Sequence, residues 1–162
     1  PVAGDGVILA CAPKREPVYA VKAGLSGTLK DSDLAWVSNK DRDVIVTSDV
    51  PTPAFYDGDF FVLSDVREVL SRVEPKTGEV KWSIETPGRD KFEASPLAAD
   101  GKLYLMNFNS DVVVVDAASG KILQEIAMGD DGEQYSRASI AASDGQLFIR
   151  TNQRLYCIGD RG

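Results

Sequence analysis

The densest run of carboxylates in the chain is "GDDGE" at residues 129–133. Calcium takes roughly six to eight oxygen ligands from a shaped loop, and Asp130, Asp131 and Glu133 would supply three carboxylates. The run falls between two strand-forming segments, so it reads as a solvated turn and no metal site is assigned to it. The chain has no histidine, which excludes an imidazole base and a histidine metal ligand. Cys11 and Cys157 stand far apart, each inside an apolar run, and read as two buried free thiols instead of a disulfide or a metal pair. The charge run "KDRD" at 40–43 reads as a solvated loop. Glycines punctuate turns and no helix follows them, so there is no phosphate cradle. No catalytic, cofactor-binding or metal-ligating residue is assigned.

Arginine is the remaining chemistry. Six of the nine arginines, Arg15, Arg42, Arg67, Arg89, Arg137 and Arg154, lie between apolar runs, as do Lys14 and Lys91. The guanidinium is a rigid planar fork of donors, favoured at contact surfaces. Lys14, Arg15, Arg42, Arg67, Arg89, Arg137 and Arg154 therefore form a candidate partner-binding loop face. The same loops hold Asp41, Asp43, Asp65, Glu68, Asp90, Asp130 and Asp131, so a mixed solvated surface is the competing reading. A net charge of −7 argues against a nucleic-acid partner, and no apolar run approaches the ~20 residues that span a bilayer.

The elements that would position these loops recur along the chain. Asp5-Gly6, Asp57-Gly58, Asp100-Gly101 and Asp144-Gly145 are spaced by 52, 43 and 44 residues. An apolar run follows each pair, at 7–11, 59–63, 102–106 and 146–150, and a second at 18–21, 70–73, 112–115 and 155–158. Short runs precede each pair at 1–3, 53–56, 96–99 and 139–142, and a fourth set lies at 34–38, 80–84 and 122–126. Asp-Gly between such runs is a strong hairpin signal, because a type I′ turn needs positive φ at both central residues. Helical spacing is absent. Each unit thus reads as four short strands, a to d.

Strands b and c are almost continuously apolar, so cover on both faces is expected. Four-stranded antiparallel sheets repeating every ~40–45 residues are the blades of a β-propeller. The expected fold is all-β, a single partial propeller over 1–162 with blades near 1–49, 50–92, 93–135 and 136–162. The last unit stops after strand c, giving about 3.75 blades, half of a seven- or eight-bladed ring. The chain starts at Pro1 instead of Met, so further blades and a closing strand upstream are expected. An open half-ring exposes apolar blade faces and invites self-association.

The segment "VEPKTGEVKW" at 73–82 resembles the tryptophan-docking signature of the pyrroloquinoline-quinone-type propeller repeats, as do "SPLAADGKLYL" at 95–105 and "LYCIG" at 155–159. "VDAASGKILQ" at 115–124 keeps Asp116 and Ser119-Gly120 but carries Gln124 in place of tryptophan; Trp36 follows an insertion. The resemblance implies that Trp36 and Trp82 dock between blades, and Tyr19 and Tyr156 are read likewise. It also implies two functions. Quinoprotein dehydrogenases hold a quinone over Ca²⁺, often beside vicinal cysteines that this chain lacks, whereas the BamB-like members are docking scaffolds of the cell envelope. The scaffold is the expected function, with a protein partner, no cofactor and an extracytoplasmic location. A fragment of a quinone-dependent alcohol or sugar dehydrogenase is the alternative, and only there are quinone and calcium expected.

Overall fold

The structure is a computed structural model describing residues 1–13, 16–38, 46–88, 90–129 and 135–159. Two compact units divide the chain, Pro1–Thr86 and Pro87–Gly162. In the first, β1 (Val2–Gly4), β2 (Val7–Ala10), β3 (Tyr19–Lys22) and β4 (Leu34–Val37) form one antiparallel sheet in chain order. β5 (Ala54–Tyr56), β6 (Asp59–Ser64), β7 (Val69–Val73) and β8 (Val80–Glu85) form another. The second unit repeats the plan with β9 (Leu97–Ala99), β10 (Lys102–Met106), β11 (Asp111–Asp116) and β12 (Ile122–Ala127). Its other sheet has β13 (Ala141–Ser143), β14 (Gln146–Arg150) and β15 (Leu155–Ile158). The fold is all-β, a partial β-propeller of about four blades.

Each a–b connection is the hairpin the sequence predicts. Asp5, Asp57, Asp100 and Asp144 have φ between 46° and 51°, and the glycine after each is also positive. The c–d turns use different chemistry. Glu74 Oε2 accepts from the Thr77 N–H at 2.6 Å and the Thr77 hydroxyl at 2.7 Å, and the Gly78 N–H donates to the Glu74 carbonyl. Asp116 Oδ1 does the same for the Ser119 N–H at 2.7 Å and hydroxyl at 2.6 Å. The Ser119 hydroxyl, then its backbone N–H, hold the Asp116 carboxyl below its ordinary 3.8. A register shift sits beside the c–d turn in each four-stranded blade, at Ala20/Val21, Arg72/Val73 and Val114/Val115.

In the first unit Val7, Leu9, Val18, Ala20, Phe60, Val62 and Val73 form one buried cluster. Trp36 lies at its margin and donates its indole N–H to the Pro75 carbonyl at 2.7 Å. The ring rests on Gly78, where a Cβ would meet Trp36 at 2.7 Å. Gly78 has φ +76, so the turn and the docking surface both exclude a side chain there. Gly4 is tighter still, since a Cβ would lie 2.2 Å from Phe55. The docking expected of Trp36 is present. Trp82 tilts against Phe61 of its own sheet with ring centres 5.9 Å apart.

Blade two also buries a charge. Asp59 is 1% exposed; its Oδ2 receives Arg72 Nε at 2.6 Å and Lys81 Nζ at 2.8 Å, while Oδ1 has no partner.

The second unit packs Ala94, Met106, Val112, Val114, Ile140 and Ile149 together. Gln124 pairs with Val114 as Trp36 pairs with Ala20. Beside Gln124 a groove of about 540 Å³ remains open, lined among others by Tyr104, Leu123, Ile126, Leu147 and Ile158. The Tyr156 hydroxyl donates to the Met128 carbonyl at 3.2 Å, so this tyrosine bridges two blades as expected. Tyr19 does not follow it, keeping 38% of its surface exposed.

Two burial expectations need correction. β6 is buried at every residue and β11 through Val112–Val115, but β15 is mostly exposed, with Leu155 at 70% and Ile158 at 44%. Among the described residues no fourth strand lies beside β15, which leaves its outer edge uncovered. For the same reason Cys157 is exposed, not buried. Cys11 is half-buried, and burial pushes its thiol up to about 11.

Candidate docking face

In three of the four sheets strand b leaves through a polar residue that ties down the next loop. Ser64 Oγ accepts from the Arg67 N–H at 3.3 Å, Asn107 Oδ1 from the Asp111 N–H at 2.8 Å, and Thr151 Oγ1 from the Arg154 N–H at 3.0 Å. All three are buried, at 4%, 3% and 2% exposure. A satisfied buried polar group at each exit holds the loop at a fixed angle to the sheet. In the first unit Asp65 strengthens this, accepting from the Asp49 N–H at 3.1 Å and the Val50 N–H at 3.4 Å.

The predicted arginines divide. Lys14, Arg15, Arg42 and Arg89 lie outside the described residues, as do "KDRD" and Asp130, Asp131 and Glu133. Arg67 is exposed on the β6–β7 loop of the first unit, and Arg154 is exposed on the β14–β15 loop of the second. Lys91 is exposed ahead of β9. Arg137, ahead of β13, donates Nε to Glu93 Oε2 at 2.7 Å. Its guanidinium lies 5.4 Å from the centre of the Phe108 ring. The second unit therefore brings Arg137 to a carboxylate and an aromatic ring.

Sequence reading missed the residues around Arg137. Phe108 follows the Asn107 cap; its N–H donates to the Lys91 carbonyl at 3.0 Å and its carbonyl accepts from the Ser136 N–H at 2.9 Å. One loop residue thus joins both neighbouring connections. Tyr135 lies 5.6 Å from Phe108, ring centre to ring centre, and is 67% exposed. Asn109 Nδ2 donates to Asp90 Oδ2 at 2.5 Å. A signal was present: aligned on the cap, Phe108 stands where Asp65 and Asn152 stand in the neighbouring copies. Glu93 and Arg137 are also repeat equivalents, 44 residues apart and opposite in sign.

Among the described residues no group of three or more Asp, Glu, Cys or His could hold a metal ion. Cys11 and Cys157 are both free. Among the described residues no helix is long and apolar enough to cross a membrane.

A family profile described as outer membrane protein assembly factor BamB matches residues 6–162. The chain belongs to the BamB family. Within the known structures, BamB from Moraxella catarrhalis aligns with TM-score 0.67 and 11% identity, covering 98% of this chain and 43% of that one. A quinohemoprotein alcohol dehydrogenase from Pseudomonas putida HK5 aligns with TM-score 0.68 and 20% identity over 93% of this chain and 28% of that one. The WD40 propeller domain of Doa1 aligns with TM-score 0.66 and 14% identity, covering 98% and 48%. At these identities the alignments show a shared fold, and the BamB-family chain spans less than half the length of each of these three. A search of curated protein sequences gave no match.

Proposed function

We propose that this BamB-family segment is a non-enzymatic docking scaffold of an extracytoplasmic protein, presenting its b–c loops and d–a connections to a protein partner. The observation that carries this reading is the buried Ser64, Asn107 and Thr151 caps, which fix exposed loops on a sheet scaffold. Loops ordered before binding lose less entropy on docking. Family membership favours protein contact over catalysis, and the net charge of −7 disfavours nucleic acid. Self-association through exposed blade residues such as Leu155 and Ile158 is a secondary proposal; a stable monomeric mass in solution would remove it.

The test places a photo-crosslinking side chain at positions 67, 135 and 154 of the full-length protein in its host. Crosslinks from at least one loop position to a defined protein, reproduced with purified components, are expected. The competing reading is a quinone-dependent dehydrogenase. Saturable binding of pyrroloquinoline quinone with Ca²⁺, accompanied by dye-linked alcohol or sugar oxidation, would replace the scaffold reading with that one.

A further inference from the structure

We infer that Tyr135, Phe108 and Arg137 form one recognition ledge for a peptide segment that carries a carboxylate beside an apolar side chain. This rests on the docking reading and names the part of the loop face that does the recognising.

The ledge is built in advance of any partner. Phe108 is pinned on both sides through its own backbone, to Lys91 and to Ser136, which is 2% exposed. Glu93, whose side chain is 12% exposed, holds Arg137 by Nε alone. Among the described residues both terminal nitrogens of Arg137 are left without an acceptor, on a side chain that is 64% exposed. Two parallel N–H groups on a planar fork match a carboxylate, and the bidentate pair is stronger than a neutral hydrogen bond.

Tyr135 supplies the second, independent observation. Its φ is +64, a left-handed conformation that bulky residues rarely adopt unless the surroundings impose it. The strained backbone presents a large aromatic side chain to solvent at 67% exposure. The turn chemistry does not demand an aromatic at position 108 either, since Asp65 and Asn152 occupy the matching places after Ser64 and Thr151. Exposed tyrosine and arginine on a rigid base have the composition of binding hot spots.

The shape selects a peptide over a sugar. The Phe108 and Tyr135 rings pack at 59° to each other with centres 5.6 Å apart, which presents an angled apolar surface to a branched or aromatic side chain instead of a flat stacking platform. One of the two Asn109 amide hydrogens that could serve a hydroxyl is already committed to Asp90.

The probes are synthetic hexapeptides pairing Asp or Glu with Leu or Phe, alongside the same peptides carrying Asn or Gln. Binding to the full-length protein is read by polarisation and by NMR shifts of the Arg137 Nε–H and Tyr135 ring signals. Carboxylate peptides are expected to move both signals and to bind about tenfold or more tightly than their amides. Arg137→Lys, which keeps the charge and loses the fork, and Tyr135→Ser should each weaken binding about tenfold or more, with unfolding midpoints matching the parent. Equal binding of acid and amide peptides, or unshifted signals, overturns the proposal. Glycans moving the same signals where peptides do not would overturn it in favour of a carbohydrate site. Crosslinks from positions 67 or 154 but none from 135 would leave the docking scaffold standing and remove the ledge alone.

Discussion

One repeat closes its blade contact with an indole and another leaves the equivalent place open. In the first unit Trp36 fills the margin of the buried cluster, donates to Pro75 and rests on Gly78. In the second, Gln124 takes the same register position beside a groove of about 540 Å³, and Leu123 and Ile126 on the same strand are 44% and 39% exposed. The backbone plan is the same in both, with matching hairpins and matching register shifts. Blade geometry therefore does not depend on the tryptophan. What the indole adds is closure: apolar area removed from water and a hydrogen bond across the contact.

The comparison breaks most readily at the indole. Trp36→Ala should destabilise the first unit by about 3–5 kcal/mol through lost burial and a cavity, whereas Gln124→Ala should stay within about 0.5 kcal/mol. Denaturant titration of both variants checks this, and equal losses would mean that closure is not the difference. Gly78→Ala should cost about 2 kcal/mol, because it combines a left-handed φ with a clash against Trp36; the same measurement applies. Thiol chemistry gives a smaller and independent contrast. At pH 8 native Cys157 should alkylate about tenfold or more faster than Cys11, which is half-buried and held mostly as the thiol. Peptide mass spectrometry after brief iodoacetamide exposure would show the order, and a reversed order would refute the burial difference.

The weakest effect concerns acid. The folded state holds the Asp116 carboxyl below its ordinary 3.8, so the ionised turn favours folding fully above that value. That contribution fades as pH falls through the lowered folded value. Asp116→Asn should flatten this part of the stability-against-pH curve and leave its neutral region shaped as before. An unchanged acid limb in the variant would count against the turn's role.

Strand positions were legible nearly to the residue. Asp-Gly pairs impose positive φ at two adjacent positions, and few alternatives to a hairpin satisfy that. The docking of Trp36 and the bridge from Tyr156 followed from aromatic residues that need both burial and a hydrogen-bond partner. The exposure of Cys157 and Tyr19 was not legible, because an apolar run records what a strand can bury and says nothing of what lies beside it. The candidate site was half legible. Arginine loops could be placed by counting strands, and Arg67, Arg137 and Arg154 do lie on them. The role of Phe108 could not be placed that way, since it depends on two backbone hydrogen bonds to connections far away in sequence.

Asp59 carries a consequence for assembly. Among the strands that follow the Asp-Gly turns only β6 begins with a carboxylate; the corresponding residues of β2, β10 and β14 are Val7, Lys102 and Gln146. Only β7 offers a guanidinium at the matching place, where β3, β11 and β15 carry Ala20, Val114 and Cys157. Near-identical strands can pair with the wrong neighbour as a repeat chain folds. If β6 paired with any strand but β7, a carboxylate would enter the interior with no guanidinium to meet it, a loss of several kcal/mol. The ion pair thus acts as a key cut for a single lock, and Asp59→Leu with Arg72→Leu should raise the share of scrambled product on refolding even where the native form loses little.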